Sequence, residues 1–183
     1  MSVLFYTTPS HGDWNRALPI GNGKLGAMIF GEGTSEHFQL NEDSVWFGQK
    51  RNRNNPDALA NLETIRRYIF EGKIEKAEEL CKYALAGTPQ SQHSYQTLGD
   101  VYFDYCGKLT EGIHFERKLN LSEAIHTSRI LSKETGTLYT CETFASAPRN
   151  CIIAHFRSST AGELDLAASL QRECFYETTS HTD

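Results

Sequence analysis

From Gly99 onward the chain alternates short apolar runs with turn signals, and that cadence constrains the fold more than any other feature. Residues 100–105, 113–119, 124–131, 137–144, 151–156 and 164–170 are rich in β-branched and aromatic side chains, so each reads as a short strand. Lys133-Glu134-Thr135-Gly136 suits a hairpin turn between two of them. A parallel sheet would need helices alternating with these strands, so the spacing argues for an antiparallel sandwich. Earlier, Ala27-Met28-Ile29-Phe30 reads as a further strand, closed by Gly31 and Gly33.

Residues 56–87 have a different period. Leu59, Leu62, Ile65, Ile69 and Phe70 recur at three- and four-residue steps, which predicts one helix ending at Gly72. Asn55 is expected to cap it, Pro56 suits its first position, and Asp57 complements its dipole. Ile74, Ala77, Leu80, Cys81 and Ala84 form the stripe of a second helix, stopped by Gly87 and Pro89. The expected fold is therefore mainly β: an antiparallel β-sandwich with an inserted helical hairpin, forming one domain over residues 1–183 and incomplete at its C-terminal end.

Bulk properties exclude several classes. With 18 Lys and Arg against 23 Asp and Glu, the net charge is −5, and no basic stripe is present to displace the counterions of a nucleic acid. No apolar run approaches the ~18 residues of a membrane span, and no secretory leader is recognisable, so a cytoplasmic location is expected. Five cysteines, at 81, 106, 141, 151 and 174, contain no C-x-x-C pair and read as small core residues in a reducing compartment. The seven histidines show no metal-ligand spacing, and neither metal nor cofactor is expected.

Gly21, Gly23 and Gly26 fit the G-x-G-x-x-G pattern of a dinucleotide turn. That motif works only between a buried strand and a helix N-terminus. Asn15, Arg16 and Pro19 interrupt the upstream apolar residues, so no strand is expected there, and the glycines after Phe30 oppose a helix. A tight loop between strands is the simpler reading, because glycine supplies positive φ without steric cost.

The run Trp14-Asn15-Arg16-Ala17-Leu18-Pro19-Ile20-Gly21-Asn22-Gly23-Lys24-Leu25-Gly26 is followed by Leu40-Asn41-Glu42-Asp43-Ser44-Val45-Trp46-Phe47-Gly48, Ser94-Tyr95-Gln96-Thr97-Leu98-Gly99-Asp100 and Glu142-Thr143-Phe144-Ala145-Ser146. In this order and spacing the chain resembles the amino-terminal β-sandwich domain of the family 95 glycoside hydrolases, the inverting α-L-fucosidases. The resemblance departs at Thr97, where the family usually has proline, and at Asn120, where it usually has aspartate. It implies a parent enzyme acting on fucosylated glycans, with its catalytic pair in an (α/α) barrel to which nothing here corresponds. No catalytic residue is therefore carried over, and this segment is expected to pack against and frame that barrel rather than to hydrolyse by itself. Family members can be secreted.

Local chemistry supplies candidates for substrate binding: Asn41, Glu42, Trp46, Tyr95 and Gln96. Glu42 and Asp43 are tempting as a carboxylate pair. Neighbours on a strand face opposite ways, however, so they hardly flank one glycosidic bond. Asn41 or Asp43 is expected to bond its own backbone in a turn before Trp46. Trp14 and Trp46 suit sugar stacking, although large aromatics are more often buried, and core packing is the expected state of both. His155, within an apolar strand, is expected to be a core or interface residue. Two alternatives stand beside the hydrolase reading: a non-catalytic carbohydrate-binding sandwich using Trp14, Trp46 and Tyr95, and an inactive truncated remnant.

Overall fold

A computed structural model describes residues 2–109 and 112–173. Ten described strands form two antiparallel five-stranded sheets. The first sheet runs β1 (Val3–Tyr6), β6 (Gly112–Asn120), β7 (Ile125–Ser132), β8 (Leu138–Ser146) and β9 (Cys151–Ser158). The second runs β10 (Ala167–Gln171), β5 (Gly99–Asp104), β4 (Ser35–Glu42), β3 (Leu25–Ile29) and β2 (Leu18–Gly21). All six strands expected beyond Gly99 are present, so the fold is mainly β as the alternation predicts. The expectation of an incomplete C-terminal end, like Cys174 and His181, lies outside the described residues.

Three strands were hidden in the sequence. β1 is exposed along its length and shows no alternation. β2 leads into Gly21 despite Pro19, because β2 is an edge strand and a missing N–H costs nothing on the open side. The nucleotide reading still fails, since β3 and not a helix follows the glycines. Asn22 closes the β2–β3 turn: its Oδ1 accepts from the N–H groups of Lys24 and Leu25 at 3.0 and 2.8 Å, and Gly23 takes φ +94°. The β7–β8 turn falls at 133–136 as expected, with Gly136 at φ +68°.

The chain divides into two compact units. One joins Met1–Val45 to Gln96–Asp183 and contains both sheets; the other is Trp46–Tyr95. In the first, Leu18, Ile20, Ala27, Ile29 and Phe38 pack with Leu119 and Cys141, drawing on both sheets. A second cluster gathers Tyr105, Leu109, Phe115, Ile130 and Tyr139. Burying each large apolar side chain contributes roughly 1.5–3 kcal/mol.

A polar stratum runs through the same interior. Arg117 is fully buried and donates to the carbonyls of Thr8, Arg16 and Phe30 at 3.0, 2.6 and 3.0 Å, while its guanidinium lies 4.8 Å from the Tyr6 ring centroid. Glu36 is fully buried and hydrogen-bonded to Ser128. His126 is fully buried, and neither ring nitrogen meets a hydrogen-bond partner among the described residues.

In the second unit, α1 (Ala58–Phe70) and α2 (Ile74–Ala84) make the expected hairpin. The cap differs from expectation: Asp57 is the N-cap residue, and Asn55 sits two positions earlier. Asn55 Oδ1 accepts from the Asp57 N–H at 2.9 Å, while its Nδ2 donates to the carbonyls of Tyr83 and Ala86 at 2.9 and 3.0 Å, joining the two ends of the hairpin. Gly72, at φ +73°, ends α1 in the left-handed conformation that glycine tolerates best. The predicted α1 stripe is only partly covered. Ile65 is buried, but Leu59, Ile69 and Phe70 are exposed. The cysteines also divide: Cys141 is buried, Cys81 and Cys151 are half-buried, and Cys106 is exposed, so the core expectation fails for Cys106. No described helix is long and apolar enough to cross a membrane.

Candidate functional site

The sequence-predicted residues fall on two structural units. Asn41 and Glu42 close β4, and Gln96 stands three residues before β5, all in the unit that holds the sheets. Trp46 and Tyr95 are the two ends of the inserted unit and face each other across an isolated antiparallel bridge. Their rings meet edge to face, with centroids 5.1 Å apart and planes at 83°. Both remain accessible, Trp46 at 50% and Tyr95 at 40%. Trp14 is 54% exposed. Core packing, the expected state of both tryptophans, is thus overturned: each is held by a polar or edge contact that leaves about half of the residue exposed. His155, on β9, is likewise exposed rather than part of the core.

Glu42 is held as an acceptor. Its Oε2 takes the N–H and hydroxyl of Ser44 at 2.9 and 2.5 Å, and its Oε1 lies 3.7 Å from Lys24 Nζ. Hydrogen bonds from Ser44 hold its carboxyl below the usual glutamate range. Glu42 thus helps to organise the turn before Trp46. Stabilising the carboxylate form disfavours the protonated state that a general acid needs.

The carboxyl with the opposite character is Glu36. Burial pushes it from 4.5 up to about 7, in the range a glycosidase acid requires. Yet Glu36 points between the sheets with no exposed surface, so no glycosidic oxygen reaches it. Among the described residues, the ionised carboxylate and the protonated carboxyl never share an accessible site.

A more coherent constellation lies on the outer face of the second sheet. Pro19, Met28, Gln39, Asp100 and Gln171 are successive cross-strand partners in a row spanning β2, β3, β4, β5 and β10. Trp14, carried by a short 3-10 turn (Trp14–Arg16), donates from Nε1 to Gln39 Oε1 at 3.0 Å. Asp13 caps that turn by accepting from the Asn15 N–H at 2.9 Å. Beside it, His37 is stacked between Phe30 and Tyr102, with ring centroids 4.1 and 4.3 Å away, and its Nε2 meets Asp100 Oδ1 at 2.7 Å. Trp14 and Gln39 line a cleft of about 380 Å³ that reaches Asn41 and another of about 360 Å³ that reaches Asp100 and Arg172. Arg172 Nη2 donates to Gln96 Oε1 at 3.1 Å, so Gln96 borders the second cleft through that arginine.

Gln39, His37, Asp100 and Arg172 were not singled out from the sequence. The available signal was the polar side of an alternating strand, since Glu36, Phe38 and Leu40 face inward while His37, Gln39 and Asn41 face outward. Among the described residues, no group of three or more His, Cys, Asp and Glu side chains is placed to hold an ion.

Residues 4–183 match the glycosyl hydrolase family 65 N-terminal domain. The chain belongs to that family. This glycosyl hydrolase N-terminal domain is also 34% identical over 174 residues to a protein named Alpha-L-fucosidase 2 from Arabidopsis thaliana, covering 93% of this chain and 20% of that protein. It is 30% identical over 152 residues to a Probable alpha-fucosidase A from Aspergillus niger, covering 79% of this chain and 18% of that relative. These α-fucosidase relatives bear out the resemblance to family 95 amino-terminal domains. The domain spans about a fifth of the length of the curated relatives it matches.

Proposed function

We propose that this chain is the amino-terminal domain, over residues 1–183, of an inverting α-L-fucosidase-like glycoside hydrolase acting on fucosylated glycans, and that it packs against and frames the catalytic barrel of the parent enzyme. The observation that carries this reading is the 34% identity running through 93% of the chain to a protein named as an α-L-fucosidase. Inversion requires a protonated acid and a water-activating base roughly 6.5–9.5 Å apart across the sugar. Glu42 is held ionised and Glu36 is sealed, which favours a supporting role for this segment and an acid supplied by the barrel. Asn41, Glu42, Trp46, Tyr95 and Gln96 are proposed to orient the glycan.

The test uses the parent polypeptide with an aryl α-L-fucoside and an α-fucosylated lactose. Release of fucose is expected, and Trp46→Ala should raise KM for the longer glycan while leaving kcat nearly unchanged. No release, or a Trp46→Ala effect confined to kcat, would remove the respective part of the proposal. The exposure of Trp14 and Trp46 favours a second reading, a glycan-binding domain without a part in hydrolysis. It would be preferred if the parent bound fucosylated glycans without cleaving them.

A further inference from the structure

We infer that the outer face of the second sheet is a saccharide-binding site, in which Trp14 stacks on one pyranose and Gln39 and Asp100 hold its hydroxyls. The ligand class that fits best is a neutral 6-deoxyhexose. A pyranose offers an apolar C–H face and a rim of hydroxyls, so its receptor needs an accessible aromatic plane beside fixed planar hydrogen-bonding groups. Trp14 has that plane. The residue is 54% exposed, and its N–H is already committed to Gln39 Oε1 at 3.0 Å, which fixes the ring without using its faces. The same bond occupies the acceptor of Gln39 and leaves the amide nitrogen as the donor that a ligand meets in either cleft.

Asp100 is fixed in a comparable way. Its Oδ1 is held by His37, which is clamped between two aromatic rings, leaving Oδ2 to accept from a hydroxyl. Gln39 and Asp100 are direct cross-strand partners, so their spacing is set by the sheet and not by a loop. Binding groups carried on strands lose little entropy when the ligand arrives.

The two clefts differ in chemistry, and that difference selects the sugar. The cleft of about 380 Å³ is bounded by Trp14, Pro19 and Met28, has Gly26 and Ala27 among its lining, and contains no charged side chain. The cleft of about 360 Å³ carries Asp100, His37 and Arg172. A sugar spanning Trp14 places a methyl substituent in the first and hydroxyls toward the second. A hydroxymethyl group in the first would bring a hydroxyl to a predominantly apolar wall, at a cost. Gly26 belongs to the fit: a Cβ there would meet only the Ile20 carbonyl, at 3.4 Å, and would narrow the cleft floor. This site lies wholly within the sheet-bearing unit, and its existence does not require the parent to hydrolyse anything.

The test is a titration of the 183-residue chain with L-fucose and with L-galactose, which has the same ring configuration but carries a hydroxymethyl group. The chain has two tryptophans, so two indole N–H signals report directly on Trp14 and Trp46. L-Fucose at millimolar concentration should move the Trp14 signal saturably. L-Galactose should bind roughly tenfold more weakly. Trp14→Ala and Gln39→Met should each weaken L-fucose binding at the Trp14 site by about tenfold or more, with thermal unfolding midpoints near the parent value. An unmoved Trp14 signal, a shift confined to Trp46, or undiminished binding by Gln39→Met would overturn the site. Equal binding of the two sugars would overturn the methyl assignment. A parent enzyme without fucosidase activity would defeat the hydrolase proposal and leave this titration unchanged, so the two failures are distinguishable.

Discussion

Replacing Glu36 by glutamine should expose a pH dependence that two opposed titrations conceal in the native protein. Burial raises the Glu36 carboxyl from 4.5 to about 7, so the folded state holds its proton more tightly than the unfolded chain does. Stability from this group is full below pH 4.5 and falls as the pH rises toward 7, by roughly 3 kcal/mol in all. Burial acts on His126 in the other sense, depressing it from 6.5 to about 3. Its contribution is full above pH 6.5 and is lost as the pH falls toward 3, by roughly 5 kcal/mol. Between pH 4.5 and 6.5 the two slopes are equal and opposite, about 1.4 kcal/mol per pH unit each, and they cancel. Glu36→Gln keeps a polar partner for Ser128 but removes the carboxyl, leaving the His126 slope alone. Urea unfolding followed by tryptophan fluorescence across this window should show stability rising by roughly 3 kcal/mol in Glu36→Gln relative to the native protein. His126→Phe should show the reverse, a fall through the same window. Parallel pH profiles for the native protein and Glu36→Gln would refute the reasoning, because they would mean that Glu36 is not protonated in the folded interior.

Three further outcomes follow from particular contacts. Gly99 has φ +139°, and a Cβ there would lie 2.9 Å from the Gln171 carbonyl, so Gly99→Ala should cost about 1–3 kcal/mol in urea unfolding and loosen the β5–β10 edge. In a carboxyl-carbon NMR titration, Glu42 should titrate below the ordinary glutamate range, and Ser44→Ala should move it upward. A double-mutant cycle on Trp46 and Tyr95 should give a coupling of about 0.5–1.5 kcal/mol, and none would mean that the edge-to-face pair is not formed in solution.

The six strands beyond Gly99 were legible because they are rich in β-branched and aromatic residues and their turns carry marked residues such as Gly136. β4 was not, because Glu36 occupies a core-facing position where an apolar residue is the rule. Nothing local in the sequence shows that Ser128, 92 residues away, accompanies it. β2 was discounted on account of Pro19, since edge position is decided by tertiary pairing. The helices were readable as elements, but exposure of Leu59 and Phe70 was not, because periodicity identifies a face without identifying what covers it.

The candidate site was legible in the same uneven way. The exposed aromatics were named as possible platforms, yet burial was expected of Trp14 and Trp46. Their exposure depends on contacts with Gln39, 25 residues away, and with Tyr95 across an isolated bridge. Asp100 and His37 are 63 residues apart in sequence and meet only through the β4–β5 register. Composition identifies residue types suited to sugar binding, whereas their convergence is a property of strand pairing.

The most direct measurement is the anomeric proton spectrum of the parent polypeptide during digestion of an α-fucosylated lactose. Release of L-fucose that appears first as the β-anomer and then mutarotates is the predicted result for an inverting α-L-fucosidase. Initial appearance of the α-anomer would contradict the inverting mechanism, and the absence of any free fucose would contradict the proposed function itself.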